Sequence, residues 1–522
     1  MNWNPISSRT GLLVVLVFSG LGPRPAQGQL VPIRTVPVAT GDQFLLDPSD
    51  TRGMGGVWIA VEDTLGSVFR NPAATVRLGD GLFFASPVHY GISDDLGFGD
   101  RGAGTSLPLG VLLRGERWSG GATLALQELS PGSSSDAFPV PFFDDCLSCR
   151  FVTQVPIEPT LSERSARNVY AHAQLARALE GRSGAWGVSV SLADLNWMAG
   201  VEHLYAGSRR IDPSGTVLDL RAGLLLETGQ GGTLEAIVVH HRVDMRHDVT
   251  YLDWIVPPVP PDTVPTPVVV EPRLRVDENR DKTRTWGTQV RYARPLAAEG
   301  WRLGWTLTAN RNTHPSIPNY EIQNIPRDPG RSWAFDLGAG LSRQAGLVTF
   351  GVEAVLEPIW AETWQEALTD TVTTAGQVVR KGDRTIDNDF QFANVLLRSG
   401  VGLRWRQADL QLGLEARSIA YDLQQVDRLS AGIRDQSESW MEWAPTWSAS
   451  WRFGGASVRY FGSATTGTGR PGVAQSWELA GVPRAELDAS GAIGILTAPS
   501  GPLTLQAATV WTHQVGVVVP IR

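Results

Sequence analysis

The stretch Thr216–Glu227, TVLDLRAGLLLE, sets Leu218, Leu220, Ala222, Leu224 and Leu226 at every second position, with Asp219, Arg221, Gly223 and Glu227 between them. A period of two is the spacing of a β-strand, whose successive side chains point to opposite faces. One face of this strand is apolar and the other carries charge.

The pattern recurs along the chain. In Trp301–Asn310, WRLGWTLTAN, the residues Trp301, Leu303, Trp305, Leu307 and Ala309 oppose Arg302, Gly304, Thr306, Thr308 and Asn310. In DLQLGLEAR, Leu410, Leu412, Leu414 and Ala416 oppose Gln411, Gly413, Glu415 and Arg417. In ANVLLRSGVGLRWR, Val395, Leu397, Val401, Leu403 and Trp405 oppose Asn394, Arg398, Gly400, Gly402, Arg404 and Arg406.

A soluble sandwich also alternates, so the period alone does not choose between sandwich and membrane barrel. Three further features choose the barrel. Tight connections such as EGRSG, TGQGG, LAAEG, RQAG, RQAD and FGG alternate with long ones, among them the Pro-rich 251–280 and 311–330 regions. Outer-membrane barrels have that asymmetry of short periplasmic turns and long external loops. Many segments reach the roughly ten residues a tilted strand needs to cross the hydrocarbon layer. Trp301, Trp333, Trp360, Trp364, Trp405, Trp440, Trp443, Trp447, Trp451 and Trp511 fall near segment ends, where indole rings favour the headgroup boundary.

The expected fold is therefore all-β, a transmembrane antiparallel barrel of 14 or 16 strands, since single-chain bacterial barrels use an even number. In AWGVSVSLADLNWMAGV the apolar phase shifts from Trp186, Val188, Val190 and Leu192 to Leu195, Trp197 and Val201. One extra residue would do that, so a bulge is expected near Ala193–Asp194.

Composition agrees with an exported membrane protein. The chain has 522 residues, a net charge of -8 and 42% hydrophobic residues. An acidic balance without a basic block argues against nucleic acid as a partner. The N-terminus carries Arg9, the apolar run GLLVVLVFSGL and the small residues Ala26 and Gly28. That pattern predicts a signal peptide over 1–28 and a mature start at Gln29. The run is too short to span a bilayer as an anchor.

Ahead of the first strand, GLFFASPVHY, lies Arg52–Leu78, RGMGGVWIAVEDTLGSVFRNPAATVRL. Signal peptide, Gly-Met-Gly-Gly, an acidic turn, Asn-Pro-Ala and a long barrel together resemble the FadL-type outer-membrane transporters of long-chain fatty acids and other hydrophobic compounds. They are also similar to the related PorV-like barrels associated with protein secretion. The motif likeness covers about Arg52 to Tyr90; beyond it only the architecture agrees. The resemblance implies that residues 29–78 form a plug, or hatch, inside a barrel of residues 79–522. The residues matching the plug pattern are Gly53, Gly55, Gly56, Glu62, Asp63, Asn71, Pro72 and Ala73. Glycine lets the backbone approach packed walls and take positive φ, and Pro72 fixes a turn while withholding a ladder donor. The alternative from the residues alone is a turn at Gly53–Gly56 and a short helix over about 63–70 lying beneath the barrel.

The cysteines are Cys146 and Cys149, in FFDDCLSCRF. An oxidising compartment favours a local disulfide there, and the neighbouring Asp-Asp offers only oxygen to a zinc ion. His240 and His241 are strand neighbours on opposite faces and do not share a metal site; with His247 they read as solvated or lumenal side chains. No Gly-x-Ser-x-Gly elbow, phosphate loop or His-Glu-x-x-His occurs, so neither metal, cofactor nor enzymatic activity is expected. By alternation phase, Arg221, Arg291, Arg302, Arg398, Arg404 and Arg406 face the lumen. They can draw in an anion such as a carboxylate head, or pair with the lumenal acids Asp219, Glu353, Glu357 and Glu415.

The expected function is an outer-membrane channel for hydrophobic compounds, passed by diffusion beside the plug and through a side opening, as the resemblance implies. The alternatives are a PorV-like barrel serving secretion and a non-specific porin. The partners expected are outer-membrane lipid, the barrel-assembly machinery and the hydrophobic ligand.

Overall fold

The computed structural model describes residues 42–94, 100–131, 165–180, 183–199, 210–255, 271–314, 329–367, 369–373, 375–470 and 506–521. The signal peptide, Cys146 and Cys149 lie outside the described residues. Sixteen antiparallel strands close on themselves. In chain order they are β1 (Gly81–Ala85 and Val88–Asp94), β2 (Asp100–Arg114), β3 (Trp118–Pro131), β4 (Ala166–Ala178), β5 (Gly184–Leu195), β6 (Arg210–Thr228), β7 (Gly232–Ile255) and β8 (Glu271–Pro295). They continue with β9 (Trp301–His314), β10 (Gly330–Ala345), β11 (Val348–Glu366), β12 (Arg384–Trp405), β13 (Ala408–Asp427), β14 (Gly432–Phe453), β15 (Ala456–Arg470) and β16 (Gln506–Ile521). Each pairs with its sequence neighbours, and β16 returns to β1. Of the two expected strand numbers, 16 is correct.

The expected single strand GLFFASPVHY is interrupted. Both halves of β1 pair with β2 and β16, and Ser86-Pro87 separates them because Pro87 has no N–H to give. Hydrogen bonds continue across the gap: Ser86 N–H donates to Pro108 O at 3.1 Å and Val515 N–H to Pro87 O at 2.9 Å.

Burial tells outside from inside. On β13, Leu412 is 63% exposed and its neighbour Gln411 is 7% exposed. Leu126, Leu192, Val238, Leu307, Leu337 and Leu356 are exposed in the same phase on other strands. A belt of exposed leucine and valine around a closed sheet is stable only against hydrocarbon. Among the described residues no helix is long and apolar enough to cross a membrane; the chain crosses with strands, as an outer-membrane β-barrel.

Two expectations need correction. Pairing of β5 with β4 and β6 runs without a register shift through Ala193 and Asp194, so there is no bulge. Leu195 and Trp197 are buried on the inward face, in line with Ser189 and Ala193. The apolar phase changes because the outer part of the interior is itself apolar. The loop expected over 251–280 is also shorter, since β7 runs to Ile255 and β8 begins at Glu271. Charged cross-strand neighbours, such as Arg246 and Glu278 at 3.4 Å, carry that hairpin beyond the apolar belt without the greasy alternation of a lipid-facing strand.

Candidate functional site

Residues 42–79 pack against the inward face of the barrel. Asp63 organises their middle. Its Oδ1 accepts the N–H groups of Gly66 and Asp50, each at 2.8 Å, and its Oδ2 accepts Ser49 Oγ–H at 2.6 Å. It is the N-cap of helix α1 (Thr64–Arg70), satisfying one of the donors a first turn leaves open. Asn71 then ends α1 and caps the 3-10 turn Pro72–Arg77 through Ala73 N–H, at 3.1 Å. The short helix is therefore present; its surroundings are the inward faces of strands.

Wall glycines admit this backbone. A Cβ at Gly400 or Gly413 would meet the main chain of Met54 and Gly55. One at Gly304 would meet Ile59 O, and one at Gly187 or Gly223 would meet Ala73 or Asn71. Gly55 and Gly56 themselves have φ of 74° and 70°, left-handed values that a side chain makes costly. The wall glycines stood on the polar face of the alternation. The missed signal was that lumen-phase positions on so many strands carry no side chain.

Polar wall groups then bind the segment strand by strand. Thr446 Oγ1 accepts Gly55 N–H at 2.9 Å and donates to Gly53 O at 3.0 Å. Glu353 Oε2 accepts Trp58 and Ile59 N–H, each at 2.9 Å, and Arg291 Nε donates to Ile59 O at 3.0 Å. Asn71 Nδ2 donates to Glu235 Oε2 at 3.1 Å, and Arg221 Nη1 donates to Phe69 O and Arg70 O at 3.4 Å each. The Trp58 ring lies between Arg70, 4.1 Å from its centroid, and Arg291, at 5.7 Å. Sequence reasoning did not single out Trp58, Ile59, Glu235 or Thr446. Asp47 is buried and Arg52 half-buried in the segment, where loss of hydration pushes the Asp47 carboxyl up to about 7 against the pull of Arg52 and lowers the Arg52 guanidinium.

The candidate arginines fall in different places. Arg398 is buried between Glu353 at 3.0 Å and Glu415 at 2.7 Å, and Arg221 is buried on Asp219 at 2.7 Å. Arg291 pairs with Glu235. Arg302 meets the exposed Glu62 at 3.1 Å, and Arg404, mostly exposed, is 3.6 Å from Asp409 near a tight turn. Ion pairing accounts for Arg221, Arg291 and Arg398. His241 faces Asp219 at 3.6 Å, while His240 points outward and stacks on Trp286 with centroids 4.3 Å apart.

Toward the end with the long connections the interior changes character. Ile359, Phe390, Phe392, Ile419, Tyr421 and Leu423 form one buried inward-facing cluster on β11–β13. Tyr90, Ile92, Leu129, Trp197, Ile211 and Val249 form another, on β1, β3, β6, β7 and the end of β5. Where the segment meets the wall, Phe44 and Leu46 line a small cavity of about 20 Å³ with Ala125, Tyr170, Ala193 and Val217.

No family model matches the chain. No curated protein matches it either. Among solved structures it is similar to a Pseudomonas aeruginosa FadL homologue, at 12% identity over 93% of this chain and 100% of that one, with a TM-score of 0.42. It is similar to the Pseudomonas putida toluene transporter TodX at 11% identity, over 90% and 96% of the two chains, with a TM-score of 0.35. CdiB from Acinetobacter baumannii gives 8% identity over 84% and 60%, also with a TM-score of 0.35.

Proposed function

We propose that this barrel is a passive outer-membrane channel for hydrophobic compounds, long-chain fatty acids among them, with residues 29–78 as its plug. The observation that carries this reading is the apolar interior. A porin keeps a polar, water-filled lumen, whereas the inward faces here bury Phe390, Phe392, Tyr421 and Leu423 in one cluster and Tyr90, Ile92 and Trp197 in another. Such a lining favours an apolar solute over ions, because it offers no hydrogen bonds to replace those of water. Deeper in, residues 42–79 pack against the charged part of the wall, which supports the plug reading. The motif likeness of Arg52–Tyr90 to FadL-type transporters supports the same assignment.

A hydrophobic solute then leaves sideways, into the bilayer. We assign the exit to Ser86-Pro87 of β1, where a proline interrupts the strand and Leu45 of the segment packs with Val88 and Phe461; opening there requires release of the Ser86 N–H to Pro108 O and Val515 N–H to Pro87 O bonds. A carboxylate head would find Arg302 by displacing the exposed Glu62.

The test is uptake of radiolabelled oleate and of an uncharged hydrocarbon by cells with and without the gene. Loss of uptake on deletion, restored by the full chain, supports the channel. Unchanged uptake of both contradicts it.

A further inference from the structure

Toward the long connections, β7 and β8 run on past the apolar belt with a register that sets like charges side by side. Arg242 is directly opposite Arg284, and Arg246 directly opposite Arg280. All four are at even positions, the phase of the lipid-facing Val238 and Trp286. Opposed like charges destabilise a strand pair unless something compensates them. The acids nearby compensate in part. Asp244 alone serves Arg242 at 3.3 Å, Arg280 at 3.4 Å and Lys282 at 3.9 Å, while Arg246 has Asp248 and Glu278.

Arg284 has no acid within ion-pair distance among the described residues, and it is exposed. Arg311 of β9, opposite Trp286, is exposed too, has no acid within ion-pair distance among the described residues, and lies over the Trp333 ring, 5.6 Å to the centroid. The rings mark where the apolar outer face of these strands ends. His240, Trp286, Arg311, Trp333 and Trp360 occupy one continuous row of register partners across β7–β11, and outward-facing aromatics of this kind sit at the membrane boundary. Arg242 and Arg284 stand one outward-facing position beyond it, on the side of the long connections, which is the outer leaflet.

We propose that Arg242, Arg284 and Arg311 form a binding site for the phosphate of an outer-leaflet lipid headgroup. Guanidinium groups bind phosphate oxygens through paired N–H donors, and an anion held between Arg242 and Arg284 supplies the charge their register lacks. The acyl chains of the same lipid lie along Val238, Val290 and Leu307, exposed apolar residues on the same strands. The site is independent of what the barrel transports.

The test is native mass spectrometry of the full mature chain, folded in detergent, with diphosphorylated lipid A, dephosphorylated lipid A or inorganic phosphate. Diphosphorylated lipid A is expected to bind, and the variant Arg242→Gln/Arg284→Gln/Arg311→Gln to weaken it roughly a hundredfold, taking each surface cation as one comparable electrostatic contribution. The control Arg380→Gln/Lys381→Gln, on a separate exposed turn, is expected to bind as the unaltered chain does. Heat-modifiable migration on gels shows that each variant is folded. Equal binding of phosphorylated lipid by the triple variant, or equal binding of the dephosphorylated lipid, would overturn the site. Full competition by millimolar inorganic phosphate would show a free-anion site and overturn the lipid assignment.

Discussion

Glu353 and Ile59, 294 residues apart, are joined by a 2.9 Å hydrogen bond from the Ile59 main-chain N–H to Glu353 Oε2, and the same oxygen accepts Trp58 N–H. The other oxygen of that carboxylate holds Arg398. One wall side chain therefore fixes both the segment and the barrel's inner ion network.

Replacing Glu353 with alanine removes both functions and leaves Arg398 with Glu415 only. The main loss is the acceptor of the Trp58 and Ile59 N–H groups, and an unsatisfied buried donor costs about 1–3 kcal/mol. Urea titration of the folded barrel is expected to show that loss, and planar-bilayer recording to show openings absent from the unaltered chain. An alanine variant as stable and as closed as the original would remove Glu353 from the docking scheme.

The Asp63 carboxylate caps α1 and gathers Ser49 and Asp50. Asp63→Ala should destabilise α1 by about 1–2 kcal/mol through the lost cap. Hydrogen exchange at Gly66 and Ser67 is expected to speed up while the amides of β11–β13 keep their protection.

Wall glycines give a steric test. Gly400→Val puts a side chain where Met54 passes and should displace the segment, whereas Gly91→Ala, with nothing within 4 Å of its added carbon, should be silent. A protease site inserted after Gly56 reports the difference: cleavage rises in the first variant only.

How much of this could be read from the sequence depends on which face a residue occupies. Outward positions obey one solvent, hydrocarbon, so Leu218, Leu220, Leu410 and Leu412 announce strand, face and membrane together. Inward positions obey several. Asp219 and Arg221 face ions, Gly223 faces Asn71, and Trp197 faces other apolar groups. An inward Leu195 thus imitated a bulge. Charged β7 and β8 imitated a loop because above the membrane neither face needs grease. The hydrogen bonds of Trp58 and Ile59 to the wall are made by their main-chain groups, which no side-chain pattern reports.

The apolar belt makes a depth-dependent prediction. Leu356 lies mid-strand on β11 and Val348 begins it at a tight turn, both exposed. Arginine at Leu356 should cost about 2–4 kcal/mol and at Val348 about 0–1 kcal/mol, the pattern expected from midplane to interface. Refolding titrations into lipid vesicles compare the two.

Asp47 predicts a pH dependence. Its carboxyl is raised from 3.8 to about 7 in the docked segment, so the docked state binds a proton more tightly than the released one. Docking is strongest below the ordinary carboxylate range. It weakens as pH rises from about 4 to about 7, where ionisation of the docked form ends the change. Proteolysis of the segment is expected to increase over that window, and Asp47→Asn to abolish the increase.

The central claim, a channel closed by its own N-terminal segment, is tested most directly by conductance in planar bilayers of the mature chain beside a variant lacking residues 42–78. The intact barrel should be closed and the truncated one should conduct. Equal conductance of the two, whether open or closed, would contradict the claim.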